Sequence, residues 1–192
     1  MEKGRLEAFT DGVIAVIITI MVLELKAPHA ATLRALLDDA HVFVSYVLSF
    51  VYVGIYWNNH HHMLHLTRHV NGRIMWANLF LLFWLSLIPF VTHWLNDAEP
   101  VPAPLPTMLY GGVLLMCALA WIPLSRLLIA ANGGRAGALA RALGADWKAR
   151  VSLVIYAAAI VVAFFVPIVA CVLYATVAAM WLVPDRRIER AS

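Results

Sequence analysis

Charged residues are missing from four long stretches of the chain, residues 40–67, 74–96, 100–125 and 151–184, and from a shorter one at 12–23. A run of roughly 20 apolar residues crosses the ~30 Å hydrocarbon core of a bilayer as one helix, so the first three of these each hold one span. The last does not fit that pattern. Its 34 residues would reach ~51 Å as one helix, far more than the bilayer core, so the run is expected to fold back on itself. Pro167 lacks a backbone donor and disfavours helix at the preceding residue, which puts the reversal near 165–168. One long tilted helix with a proline kink is the other way to house it. The stretch at 12–23 reaches spanning length once Asp11 and Glu24 sit at its two boundaries.

Composition agrees with this count. Hydrophobic residues make up 63% of 192, or about 121 side chains, and six spans of roughly 20 use about 120. The charged fraction of 13% is about half that of soluble domains. A soluble globule, a disordered chain, a collagen-like repeat and a disulfide scaffold are thereby excluded. Cys117 and Cys171 lie inside apolar runs and read as buried thiols. Lys3 and Arg5 ahead of a short apolar stretch resemble a signal peptide, but Asp11 interrupts the stretch, Glu24 and Lys26 follow it, and no small-x-small cleavage site appears. The expected fold is all-α and polytopic: one domain over 1–192, with six transmembrane helices near 7–25, 41–64, 74–95, 107–129, 149–165 and 168–183.

Those helices sort the basic residues by side. Lys3, Arg5, Arg68, Arg73, Arg126, Arg135, Arg141, Lys148, Arg150, Arg186, Arg187 and Arg190 fall on one side, and only Lys26 and Arg34 on the other. By the positive-inside rule both termini are cytoplasmic. Acidic residues divide six to five, giving net charges of 12 − 6 = +6 inside and 2 − 5 = −3 outside. The basic pI of about 9.1 thus reflects topology and contact with anionic lipid, and calls for no nucleic acid. Of the longer connections, Glu99 through Pro106 has proline at every second position and should be stiff and extended. Asn132 through Asp146, with four glycines around Ala-Leu-Ala-Arg-Ala-Leu, suggests a small basic helix on the inner interface.

Ionisable groups at membrane depth are costly and therefore mark candidate sites. Asp11 lies near the inner end of the first span. Trp57, Asn59, His60, His61 and His62 fall in the inner turns of the second, and Asn78 in the first turns of the third, so all share one depth. Asp11 has no cation at i+3 or i+4, and Glu7 four residues earlier is a like charge. It needs donors from another helix: the Trp57 indole, the His60 or His61 imidazole, the Asn78 amide or Arg5, with Thr10 adding a hydroxyl. Such a network either locks three helices together or takes part in transport. The run His60-His61-His62-Met63-Leu64-His65 pairs His61 with His65 and His62 with His65 on one helix face, as metal ligands require. Further ligands are scarce at that depth, because His41 and His93 lie near the opposite surface, so no metal site is assigned.

Gly12, Val16, Thr19, Ile20 and Leu23 cover one face of the first helix. Pore lining and helix packing are both open to this face, since Val13, Ile14, Ile17, Ile18 and Val22 make the rest equally apolar.

The segment Arg5-Leu-Glu-Ala-Phe9-Thr10-Asp11-Gly12 resembles the Arg-x-x-x-Phe-Ser-Asp signature of the transmembrane protein 175 family, the endolysosomal and bacterial potassium channels. Three other stretches look familial: Tyr56-Trp57-Asn58-Asn59-His60-His61, Asn78-Leu79 through Leu85-Ser86-Leu87-Ile88-Pro89-Phe90, and Pro184-Asp185-Arg186-Arg187-Ile188-Glu189-Arg190. The resemblance implies a homotetramer in a bacterial inner membrane, with four first helices lining a central pore that has no Thr-Val-Gly-Tyr-Gly loop. By distance from Asp11, the family's constriction falls on Val16, Ile20 and Leu23, and a pore-facing threonine on Thr19. The family's motif network falls on Arg5, Phe9, Thr10, Asp11, Trp57, Asn59, His60 or His61, and Asn78. Thr10 replaces the usual serine and keeps the hydroxyl. Val16 replaces the more common isoleucine and widens the innermost neck.

The function expected from this resemblance is a potassium-permeable cation channel gated by apolar rings that dewet when closed. It takes potassium and other monovalent cations as permeant species, needs no cofactor and is no enzyme. A proton-coupled or proton-leak transporter using Asp11 and His60–His62 is the competing function, because imidazoles titrate near neutrality.

Overall fold

The structure, a computed structural model, describes residues 2–143 and 147–182. Its elements are α1 (Lys3–Leu23), α2 (Leu33–Asp38), α3 (Ala40–His65), α4 (Gly72–Ser86), α5 (Ile88–Asp97), α6 (Pro104–Ala131), a 3₁₀ turn at Gly134–Ala136, α7 (Ala138–Leu143), α8 (Trp147–Phe165) and α9 (Pro167–Leu182). Five stretches among the described residues are long and apolar enough to cross a membrane: α1, α3, α4 with α5, α6 and α8. At 16 residues, α9 is a shorter apolar helix. The segment from Pro184 to Arg190, with its basic cluster, lies outside the described residues, as does Asp146.

Proline chemistry sets the breaks. α8 and α9 part at Val166 and pack against each other, so the long uncharged run reverses direction beside Pro167. A single helix is expected over 74–95, and here the structure differs, with α4 ending at Ser86 and α5 beginning at Ile88. Pro89 cannot donate to the Leu85 carbonyl and its ring crowds that carbonyl, which breaks the ladder. The chain tightens instead, with Leu87 N–H donating to the Trp84 carbonyl at 3.2 Å. The extended segment expected as far as Pro106 ends at Ala103, and α6 starts at Pro104. The first turn of a helix has no partners for its N–H groups, so proline sits there without loss. The described part of the connection after α6, residues 132–143, folds as the 3₁₀ turn and α7, with Leu139 buried. Gly133, at φ +91, takes the chain out of α6 through a conformation that a β-carbon disfavours.

α6 is the central helix, packed against α4, α5, α8 and α9. Leu114, Cys117, Ala120, Leu124 and Leu128 form its buried stripe. Several buried hydroxyls of this interior pair with one another or with backbone carbonyls, whereas the buried Trp84 indole N–H has no partner among the described residues. Ser49 Oγ lies 2.7 Å from Thr92 Oγ1 and 3.0 Å from Tyr110 Oη. Tyr52 Oη donates to the Tyr174 carbonyl at 2.6 Å, and Tyr174 Oη donates to the Thr107 carbonyl at 3.2 Å. Tyr174 lies directly over Gly111 of α6, where any β-carbon would meet the ring. α1 occupies the edge of the bundle, against α3, α4 and α5.

Candidate ion-conduction site

The position of α1 separates two faces that composition leaves alike. Ile14, Ile17 and Met21 are 2%, 3% and 2% exposed, whereas Val16, Ile20 and Leu23 are 55%, 43% and 79% exposed. At 100° per residue Leu6 and Thr10 join the buried stripe, and Phe9, Gly12 and Thr19 join the exposed one. The subunit therefore packs one apolar face of α1 and leaves the other bare. Thr19 Oγ1 donates to the Val16 carbonyl at 2.9 Å, so its oxygen lone pairs stay open on that face.

Beside the bare stripe runs a groove of about 850 Å³, walled by Phe9, Gly12, Val16 and Ile20 on α1 and by Phe90 and His93 on α5. Glu24 and His93 close its far end, with Oε2 3.2 Å from Nδ1. Pro89 directs α5 along α1 and so places His93 there. This pair has no counterpart in a reading by helix periodicity, since the two residues belong to separate elements.

At the other end, polar side chains tie α1 to α3 and α4. Trp57 Nε1 donates to Asp11 Oδ1 at 3.0 Å, the donor that Asp11 lacks on its own helix. Asn78 Nδ2 donates to Thr10 Oγ1 at 2.8 Å, and Asn78 Oδ1 lies 2.8 Å from His60 Nε2. Since that oxygen accepts, His60 presents Nε2–H to it. Thr10, His60 and Asn78 are all buried. The result is two separate links, Trp57 to Asp11 and His60 through Asn78 to Thr10.

Not every candidate joins them. The Arg5 guanidinium is exposed and makes no hydrogen bond or ion pair among the described residues. Asn59 Nδ2 donates to the Ile55 carbonyl of its own helix at 2.9 Å and lines a small cavity with Tyr56 and Trp121. Phe9 is exposed on the groove. His61 faces Glu7, Nδ1 to Oε1 at 3.5 Å, and stacks between Trp57 and His65. Glu7, which the sequence presents only as a like charge to Asp11, is thus the partner of His61. Among the described residues no group of three or more His, Cys, Asp or Glu is placed to hold a metal ion.

Long apolar helices packed in a bundle, with a polar lock at one end of a half-bare first helix, define a multi-pass helical membrane protein. A relative from Chryseobacterium sp. (strain P1-3), named a potassium channel, is 46% identical over 191 residues, which is 100% of this chain and 98% of that one. One from Streptomyces collinus, also named a potassium channel, is 33% identical over 126 residues, 62% of this chain and 61% of its own. The model of the endosomal/lysosomal potassium channel TMEM175 family matches residues 5–89. The crystal structure of a lysosomal potassium-selective channel TMEM175 homolog from Chamaesiphon minutus superposes with a TM-score of 0.79 at 24% identity, over 94% of this chain and 96% of that one. The chain belongs to the TMEM175 family.

Proposed function

We propose that the protein is a potassium channel of the bacterial inner membrane, formed by four copies whose α1 helices surround one axis. Each subunit crosses the bilayer six times, as α1, α3, α4 with α5, α6, α8 and α9, and both termini are cytoplasmic. The described basic residues support that orientation, with Lys26 and Arg34 alone at the outer end. Val16, Ile20 and Leu23 form the constriction, Thr19 contributes hydroxyls to its wall, and no carbonyl filter takes part. Potassium and other monovalent cations are the cargo, and neither a catalytic residue nor a resident cofactor is assigned. The observation that carries this reading is the bare stripe of α1, apolar and exposed beside a stripe that the subunit buries completely. The names of the relatives agree with it.

In this mechanism three apolar rings, each of four side chains, make a neck that sheds water when closed, and α1 turns or splays to admit partly hydrated ions. The Trp57–Asp11 and His60–Asn78–Thr10 links anchor the inner end of α1 and fix its rotation. A proton relay through Asp11 and His60–His62 has weaker support: the group bonded to Asp11 is the Trp57 indole, a donor without a basic lone pair.

The test is Ile20→Asn in purified channels reconstituted in liposomes. A polar ring resists dewetting, so potassium flux is expected to rise. Unchanged flux would place this face outside the conduit, and stoichiometric proton movement with potassium would favour the transporter.

A further inference from the structure

Where α3 and α6 finish, a cavity of about 490 Å³ lies between the two helix ends, lined by His65, Arg68, His69, Asn132, Gly133 and Ala138 among others. One side chain holds its walls. Asn132 Oδ1 accepts the backbone N–H groups of Arg68 at 2.7 Å and His69 at 2.8 Å. Its Nδ2 donates to the carbonyls of His69 at 3.1 Å and Leu128 at 2.9 Å. The amide thus ties the 66–71 connection to the end of α6 and fixes where Arg68 leaves the backbone.

The charge balance favours an anion. Each helix carbonyl end carries roughly half a negative charge, and two such ends meet here. Both are partly quenched, because Lys3 Nζ donates to the His65 carbonyl at 3.4 Å and Asn132 caps that of Leu128. Against the remainder stands the full charge of Arg68, with Arg135 in the adjoining 3₁₀ turn. No acidic residue is among the described lining residues. A guanidinium fork in such a setting matches the oxygens of a phosphate.

Its depth points to the source of that phosphate. α4 and α8 begin at the end of the bundle where α3 and α6 stop, and Trp76, the fifth residue of α4, and Trp147, the first of α8, are exposed. Exposed tryptophan marks the headgroup boundary of a bilayer. The volume also falls within the ~300–1,000 Å³ of small-ligand sites.

We infer that this cavity binds the phosphate of an anionic phospholipid headgroup of the cytoplasmic leaflet, with Arg68 as principal ligand. The leaflet assignment rests on the orientation given under Proposed function, which turns this basic end toward cytoplasmic anionic lipid.

The full-length protein in detergent is titrated with a fluorescent short-chain phosphatidylglycerol, read by anisotropy. Dioctanoyl phosphatidylglycerol, dioctanoyl phosphatidylcholine and inorganic phosphate serve as competitors. Dioctanoyl phosphatidylglycerol is expected to compete, the choline lipid not, and inorganic phosphate only weakly. Arg68→Gln should weaken probe binding about tenfold, the scale of one charge-assisted contact. Ala138→Glu sets a carboxylate on the exposed rim without touching the Asn132 bonds and should do the same; it decides the matter if Arg68→Gln fails to fold. Arg34→Gln, at the opposite end, should leave binding unchanged. Equal binding by Ala138→Glu and wild type, or equal competition by the choline lipid, overturns the site; inorganic phosphate competing as well as the lipid overturns the lipid assignment. Potassium flux in phosphatidylcholine liposomes separates the two readings. Flux without lipid binding removes only this site, and lipid binding without flux removes only the channel.

Discussion

Asn78 is the residue on which the inner lock turns, because one buried amide serves two helices at once. It donates to Thr10 of α1 and faces His60 of α3. Interhelical hydrogen bonds in membranes contribute about 1–2 kcal/mol each at most. Asn78→Ala strands both neighbours and should cost about 2–3 kcal/mol, whereas Thr10→Val removes one bond and should cost about 1 kcal/mol. Thermal unfolding in detergent would show this order, and the double variant should be little worse than Asn78→Ala alone. If Thr10→Val proved the more damaging, the amide would not be the shared member. The residue types of this lock are legible in the sequence, since Asp11 without a helical partner demands a donor from elsewhere. The pairings are not. Which of Trp57, His60, His61 and Asn78 reaches Asp11 depends on the rotation of α3 and α4 about their axes, and apolar residues all round those helices leave that rotation unspecified.

Among the elements, α6 and α9 approach closely because Gly111 has no side chain. The Tyr174 ring lies over Gly111, and its hydroxyl reaches the Thr107 carbonyl. Gly111→Ala should force the ring away, break that bond and destabilise by about 1–3 kcal/mol, the usual cost of overpacking. Gly112, whose β-carbon would meet nothing within 4 Å, is the control: alanine there should leave the unfolding midpoint in place or raise it. Equal effects at the two glycines would contradict the close approach. Elements ending at charges or prolines can be read from the chain, because both act locally; the stop at Val166 beside Pro167 is one such case. The interruption at Leu87 follows from the same proline chemistry at Pro89, but a span of ample length hides it. α2 escapes a hydropathy reading for a different reason. It is six residues long, held by the Thr32 cap on Ala35 N–H at 3.2 Å, and has no buried residue to generate a pattern.

At the scale of the whole molecule the decisive quantity is the uneven distribution of charge between the two ends. Glu24, Asp38, Asp39, Asp97 and Glu99 outnumber Lys26 and Arg34 at the end proposed to face outward, a net of 2 − 5 = −3 per subunit. In a fourfold assembly these charges would surround the mouth beside the groove that Glu24 and His93 close. A ring of that sign raises the local cation concentration, but only within about one Debye length, ~30 Å at 0.01 M salt and ~3 Å at 1 M. Asp97→Asn, an exposed site outside the Glu24–His93 pair, should therefore lower single-channel potassium conductance at about 0.01 M and leave it unaltered near 1 M. Lys26→Gln should act in the opposite direction at low salt, because it makes the same end more negative. Recording both variants across that range separates a field effect from damage to the protein, since a misfolded mouth would lose conductance at every ionic strength. Conductance in Asp97→Asn that fell equally at low and high salt would mean that the carboxylate acts by contact with the ion, and the outer charge would then have no long-range role in permeation.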